Sequence, residues 1–266
     1  MSALKRIAIG LEYDGRKFCG FQSQKSGCGI QDALEKAIGE IAAERVIVNA
    51  AGRTDSGVHA SMQVIHFETA SVRPLSAWVR GVNALVPAAI AIRWGREVDA
   101  EFHARFAARK RCYHYLLLNR PERAGLLAGR VGWCHRPLVL DAMRQAAIAL
   151  RGEHDFSAFR SSECQSPTPV KTLQTIAIAQ DGAMSTFEFA ANAFLHHMVR
   201  NIVGALVMVG HGARPVSWVD EILAGRDRAK GAPTFMPDGL YLSGIDYDPR
   251  FGLPDTSSRH PWSASR

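Results

Sequence analysis

The spacing of apolar residues constrains this chain most, because it changes period in the same order twice. Ile7, Ile9, Leu11 and Tyr13 alternate with Ala8, Gly10 and Glu12, the period of two of a half-buried strand. Ile30, Ala33, Leu34, Ala37, Ile38, Ile41 and Ala42 then recur at steps of three and four, which gives a helix one apolar face. Strands over 45–50 and 62–69, a helix over 75–85 bracketed by Pro74 and Pro87, and a strand over 90–98 complete a β-α-β-β-α-β order.

The remainder follows a similar order. A strand fits 109–118, and a helix starts at Asp141, whose carboxylate is placed to cap it while Met143, Ala146, Ala147 and Leu150 form its buried stripe. Strands near 171–179 and 185–191 precede a long helix from about Leu195, with Met198, Ile202, Leu206 and Val209 on one side. A shorter helix over 217–223 and a strand over 240–247 close the pattern. The repetition is architectural and not residue by residue, so the expected class is α+β, built from two ferredoxin-like βαββαβ halves. The halves are 1–106 and 107–248; 119–137 reads as a surface excursion, and 249–266, rich in Pro, Ser and Arg, as a weakly ordered tail.

With 266 residues, 47% of them hydrophobic, the chain can fill the cores of two small domains. Its net charge of +7 and pI near 9.4 favour an anionic partner such as nucleic acid. No apolar run approaches the roughly 20 residues of a bilayer-spanning helix, and the first residues do not read as a cleaved signal peptide. Five cysteines without a C-x-x-C pair suit neither a disulfide framework nor a structural zinc site, so the expected compartment is the reducing cytosol.

Three segments carry chemistry-bearing side chains. Between two predicted strands, residues 50–60 (AAGRTDSGVHA) place Arg53, Thr54, Asp55, Ser56 and His59 around two glycines. Such a loop can present Asp55 to a substrate while Arg53 and His59 supply positive charge; the same composition also suits a plain hairpin turn. Next, Phe102, His103, Ala104, Arg105 and Phe106 are followed by Arg109, Lys110, Arg111, Tyr113 and Tyr115, so cations alternate with aromatics. Guanidiniums can neutralise phosphates while rings stack on unpaired bases, although Tyr113 and Tyr115 share a strand face and also suit a core.

The third segment, 191–201 (ANAFLHHMVRN), opens the long helix and puts His196 and Arg200 four residues apart on one face. His196 and His197 would point about 100° apart and have no carboxylate at a supporting spacing, so no metal site is expected. Phosphate-loop, dinucleotide-binding, zinc-protease and nucleophile-elbow motifs are absent. A cofactor-free enzyme or a binding module remains.

The loop GRTDSGVHA over 52–60 closely resembles the catalytic loop of the tRNA pseudouridine synthase A family. The segments LEYDG at 11–15, GFQ at 20–22, FHARF at 102–106, Asp155-Phe156, ANAFLHHMVRNIVG from Ala191 and GLYL at 239–242 match in the same order. The resemblance implies the pseudouridine synthase fold, with the two halves around a largely antiparallel mixed sheet and a central cleft. It implies isomerisation of uridine to pseudouridine at positions 38–40 of the tRNA anticodon stem-loop, without cofactor or metal, by a cytoplasmic homodimer.

By motif, Asp55 is the catalytic carboxylate, Arg53 helps displace the target nucleotide, Tyr113 packs on its base, and Arg200 partners the carboxylate. Phe102, His103, Ala104, Arg105 and Phe106, and Gln165, Ser166, Pro167, Thr168 and Pro169, are carried over as tRNA contacts. Pro167 departs from the basic residue common there, which removes a possible phosphate contact and a backbone donor.

The chemistry suits these residue types. A stacked uridine hides C1′ and C5, so the nucleotide must be extruded at a cost of about a few kcal/mol. A carboxylate, ordinarily ionised at neutral pH, then acts on the ribose by attack at C1′ or by removing a proton from C2′. The competing reading is a non-catalytic RNA-binding protein on the same fold.

Overall fold

The computed structural model describes residues 4–262. The chain divides into two compact units, one formed by 1–110 with 241–266 and the other by 111–240.

In the first unit, β1 (Lys5–Tyr13) lies between β3 (His59–Thr69) and β4 (Ile90–Val98) and is antiparallel to both. Ile7, Ile9 and Leu11 face Phe67, Ile65 and Gln63 across the β1–β3 ladder. The period-two pattern identifies this strand but understates its burial, because Ala8 and Gly10 are buried as well. Small residues on the second face let other chain segments approach it. A short β2 (Asn49–Ala50) pairs with β3, and β10 (Leu240–Asp246) runs parallel to β3, with Tyr241 opposite His59.

The strand expected over 45–50 is reduced to its last two residues. The Val48 N–H instead donates to a Glu35 carboxylate oxygen at 2.9 Å, a side chain replacing a ladder partner. Glu35 belongs to α1 (Ile30–Ala42), whose inner face buries Ile30, Leu34, Ala37, Ile38 and Ala42. The helix expected over 75–85 contains a π-helical turn, Ala77–Gly81, before α2 (Val82–Leu85). Trp78 of that turn packs edge-on against Phe67 of β3, with ring centroids 5.3 Å apart.

The second unit has β9 (Met184–Ala191) antiparallel to both β5 (Lys110–Asn119) and β8 (Val170–Asp181), with β7 (Gly152–Asp155) outside β8. β6 (Gly132–Cys134) joins β5 in parallel, so the presumed surface excursion over 119–137 contributes a strand. The helices are α3 (Leu140–Ile148), α4 (Met198–Gly210) and α5 (Trp218–Gly225). In α4, Met198, Ile202, Leu206 and Val209 are buried as their spacing requires. Asp141 does not cap α3: the helix begins one residue earlier, and Asp141 in its first turn pairs with Arg144 at 2.7 Å. A carboxylate there still complements the helix dipole.

The tail returns to the first unit. Ile245 N–H donates to the Thr256 carbonyl at 2.9 Å, the Thr256 hydroxyl donates to the Ile245 carbonyl at 2.5 Å, and Ser243 and Ser258 hydroxyls are 2.9 Å apart. These bonds give the tail an order that its composition does not suggest; its last part, 263–266, lies outside the described residues. Among the described residues no helix is long and apolar enough to cross a membrane.

The cysteine reading needs correction at one pair: Cys19 and Cys28 form a disulfide that closes a loop ahead of α1. Their side chains meet because Cys19 N–H donates to the Cys28 carbonyl at 3.0 Å, a proximity that sequence spacing does not reveal. Closing so short a loop stabilises the fold by about 2.5 kcal/mol through restriction of the unfolded chain. Urea unfolding with and without reductant should differ by that amount, and Cys28→Ser should abolish the difference.

Candidate active site

The loop joining β2 to β3 is fixed from behind by three parts of the first unit. Ala51 N–H donates to the Val64 carbonyl at 2.8 Å, and Gln63 Nε2 donates to the Gly52 carbonyl at 2.7 Å. Thr54 is buried, with its hydroxyl 2.8 Å from that of Tyr13 and its carbonyl accepting from Phe21 N–H at 2.9 Å. Ser56 Oγ donates to the Phe18 carbonyl at 3.3 Å, and Val58 N–H closes the turn onto the Asp55 carbonyl at 3.1 Å. Gly57 accommodates the reversal with φ of +79°.

Asp55 is thereby left half-buried and Arg53 exposed, on a backbone gripped on either side. A plain surface hairpin would not recruit Tyr13, Phe18, Phe21 and Gln63. His59, read from sequence as a source of positive charge, is instead buried beneath the loop. Its Nδ1 accepts from Gly15 N–H at 3.2 Å, and its ring stacks on Tyr241 with centroids 4.6 Å apart. The neighbouring Asp14 is 3.4 Å from that nitrogen, and its hydrogen bonds to Arg16 lower its pKa.

The FHARF segment divides between core and surface. Phe102 and Ala104 are buried, with Phe102 packed 5.2 Å from both Tyr247 and Phe251, so neither residue presents its side chain to a ligand. Three bonds hold the segment: Arg6 Nη1 donates to the Phe102 carbonyl at 2.8 Å, Ala104 N–H donates to His66 Nδ1 at 3.1 Å, and Tyr247 OH donates to the Ala104 carbonyl at 2.7 Å. What turns outward is Phe106, 76% exposed, with the Arg105 guanidinium 5.7 Å from its ring centre and the His103 ring at 4.3 Å. Desolvation, and after it the like charge of Arg105, lower the Arg53 pKa. Burial first, then Arg6 and Arg105, lower the pKa of His103.

His66, absent from the sequence reading, is the anchor of this surface. Burial is the main force pushing its pKa down to about 4, and a neutral ring is also what accepting the Ala104 N–H requires. An unfolded histidine takes its proton near pH 6.5 and the folded one only near 4, so stability falls as pH drops through that window. The loss is on the order of 3 kcal/mol. Urea unfolding from pH 7 to 4.5 should show this extra slope in the wild type and not in His66→Gln, which keeps an acceptor but has no proton to gain.

The second unit holds the other predicted site residues. Tyr113, on β5 opposite Phe189, is 8% exposed and meets the edge of Phe194 at 5.0 Å. Its companion Tyr115 is core: it is fully buried, its hydroxyl donates to the Met236 carbonyl at 2.9 Å, and burial raises its pKa well above 10. Arg200, in the first turn of α4, is half-buried, and its Nε donates to the Phe235 carbonyl at 2.8 Å.

His196 does not share a helix face with Arg200. The helix starts only at Met198 because His197 takes a left-handed conformation at φ +64°, which brings the two histidine rings to 4.0 Å. In the 165–169 segment, Gln165, Pro167 and Thr168 are exposed and Ser166 and Pro169 half-buried. The Thr168 carbonyl accepts from Lys171 Nζ at 2.6 Å and that of Pro169 from Phe156 N–H at 3.1 Å, which fixes the segment's shape.

Comparison with known proteins decides the family. The sequence profile of the tRNA pseudouridine synthases matches residues 10–107 and 146–248. The tRNA pseudouridine synthase A of Thiobacillus denitrificans is 58% identical over 260 residues, 98% of this chain and 100% of that protein. The chain belongs to the tRNA pseudouridine synthase family. Proteins of the same description from Chromobacterium violaceum and Dechloromonas aromatica are 57% and 55% identical, each over 94% of this chain and 95% of the relative. As a tRNA pseudouridine synthase the chain is an isomerase with an α+β fold. The profile covers Arg53, Asp55, FHARF, the 165–169 segment and Arg200, while Tyr113 falls between its two matched stretches.

Proposed function

We propose that this chain isomerises uridine to pseudouridine at positions 38–40 of the tRNA anticodon arm, with Asp55 as the catalytic carboxylate. The observation that carries the reading is a half-buried acid on a loop gripped by Tyr13, Phe21 and Gln63, two residues from the exposed Arg53. A fixed backbone positions the carboxylate before substrate arrives, which is where most of the advantage of a single catalytic group lies. Arg53 helps displace the nucleotide, Tyr113 and Arg200 bind it, and phosphates are met by Arg105 and His103 while Phe106 offers a stacking face. Gln165, Ser166, Pro167 and Thr168 form a second contact strip. The enzyme works as a cytoplasmic homodimer and needs no cofactor or metal.

The reaction breaks the N1–C1′ bond, forms a C5–C1′ bond, and gives up the C5 proton to solvent while N1 takes one up. Incubating tRNA that carries tritium at uridine C5 with the purified chain should therefore release tritium to water in proportion to pseudouridine formed. Salt-dependent binding of that tRNA with no tritium released would identify a non-catalytic RNA-binding protein instead.

A further inference from the structure

A cavity in the second unit lies outside every residue assigned so far except the neighbourhood of His197. It has a volume of about 460 Å³, and its walls include Ser161, Ser162, His197, Arg228, Gly231 and Thr234; no carboxylate lines it. Its floor is organised by one buried side chain. Asn201, 2% exposed, donates through Nδ2 to the Phe159 carbonyl at 2.7 Å, and its Oδ1 accepts from Thr234 Oγ1 at 2.7 Å and from Arg228 Nη2 at 3.1 Å. Arg228 Nη2 also donates to Thr234 Oγ1 at 3.2 Å. Both bonds use one nitrogen, so the guanidinium is fixed by its Nη2 corner while its Nη1 and Nε N–H groups, which point in different directions, stay available as single donors.

Asp227, the nearest acid in sequence, is occupied elsewhere, its carboxylate accepting from Ala229 N–H at 2.9 Å. An immobilised guanidinium and serine hydroxyls describe a receptor for a phosphate oxygen, in a space large enough for a nucleotide unit. We infer that this cavity takes one phosphodiester and its ribose from the RNA substrate, with Arg228 donating to a phosphate oxygen through Nη1 and Ser162 supplying a further donor. This rests on the reading of the chain as a tRNA-modifying enzyme and adds a contact point to it, on residues that neither the FHARF nor the 165–169 segment includes. Fixing the phosphate through a guanidinium already held in place contributes register as well as affinity.

The test is tRNA affinity over a potassium chloride series, by filter binding, with the full chain. Arg228→Gln should weaken binding about 10-fold near 0.1 M salt and reduce the slope of log K against log salt by roughly 0.7 to 0.9, the signature of one lost phosphate contact. Arg136→Gln, an equal charge change at an exposed arginine outside the cavity, should move affinity less than about twofold. Because Arg228 also ties Asn201 to Thr234, Ser162→Asp provides a second arm: it puts a carboxylate at an exposed wall position, leaves the network intact, and should weaken binding to a similar degree. In both variants kcat at saturating tRNA should stay near wild type while KM rises.

Wild-type affinity and slope in Arg228→Gln, or wild-type affinity in Ser162→Asp, would overturn the inference. So would tight binding of inorganic phosphate or uridine monophosphate with tRNA affinity unchanged in both variants, which would make this a small-anion site. Tritium release by the wild type is independent of all these outcomes, and its failure would count against the catalytic reading alone.

Discussion

Asp55→Asn should reduce pseudouridine formation by a factor on the order of 10³ or more at saturating tRNA, the scale of loss when the reacting group itself is removed. The affinity for tRNA should change little. Asparagine is nearly isosteric, the loop backbone is held through Thr54, Gly52 and Ser56, and the phosphate contacts lie on other residues. The split between kcat and Kd is the informative part. A structural role for Asp55 would lower the melting temperature and binding together, whereas a catalytic role leaves both intact and removes turnover.

Gly20→Ala should have a large effect on both stability and rate while leaving every chemistry-bearing side chain untouched. Gly20 has φ of +101°, and a Cβ built there would come within 2.9 Å of the Thr54 carbonyl oxygen and 3.2 Å of the Asp55 carbonyl carbon. The obstructing atoms are backbone of the catalytic loop, so neither partner can rotate away. Strain from the positive φ and the contact together should destabilise the fold by about 3 kcal/mol. Relief of the clash pushes on residues 54–56, so kcat should fall by about tenfold or more while Kd for tRNA stays within a small factor, because a displaced carboxylate loses its alignment with the ribose. Melting temperature and single-turnover rate measured on the same preparation check both parts. An unchanged rate in a destabilised protein would show that the 18–21 backbone supports the fold without positioning Asp55.

Local pattern conveyed the larger elements well. Residues 30–42 and 90–98 form a helix and a strand as their apolar spacing requires, because a face of a 3.6-residue or two-residue repeat must be buried somewhere. Elements of two to four residues, such as β2, β6 and β7, carry no period to read and exist only through the longer strands they join. The Asp55 loop stood out by composition. Its support did not, since Phe21 N–H, Tyr13 OH and the Phe18 carbonyl reach it from more than 30 residues away, and backbone groups leave no trace in residue type.

The same limit explains His66, which looks like any polar residue on a strand until its Nδ1 is found beneath Ala104. It also explains His196, since only the left-handed turn at His197 shows that the helix has not yet begun. The resemblance supplied what local physics could not: Arg200 gains meaning from the motif around it, and Tyr113 from the family's strand and not from its alternation with Tyr115.

The most direct test of the central claim is the position of the modified base. Undermodified tRNA should be incubated with the purified wild-type chain, treated with a carbodiimide that marks pseudouridine, and read by primer extension. Stops at positions 38–40 that appear with enzyme, and are missing with the Asp55→Asn variant, are the predicted result. A tRNA that is bound by the wild-type chain yet shows no enzyme-dependent stop in the anticodon arm would contradict the account.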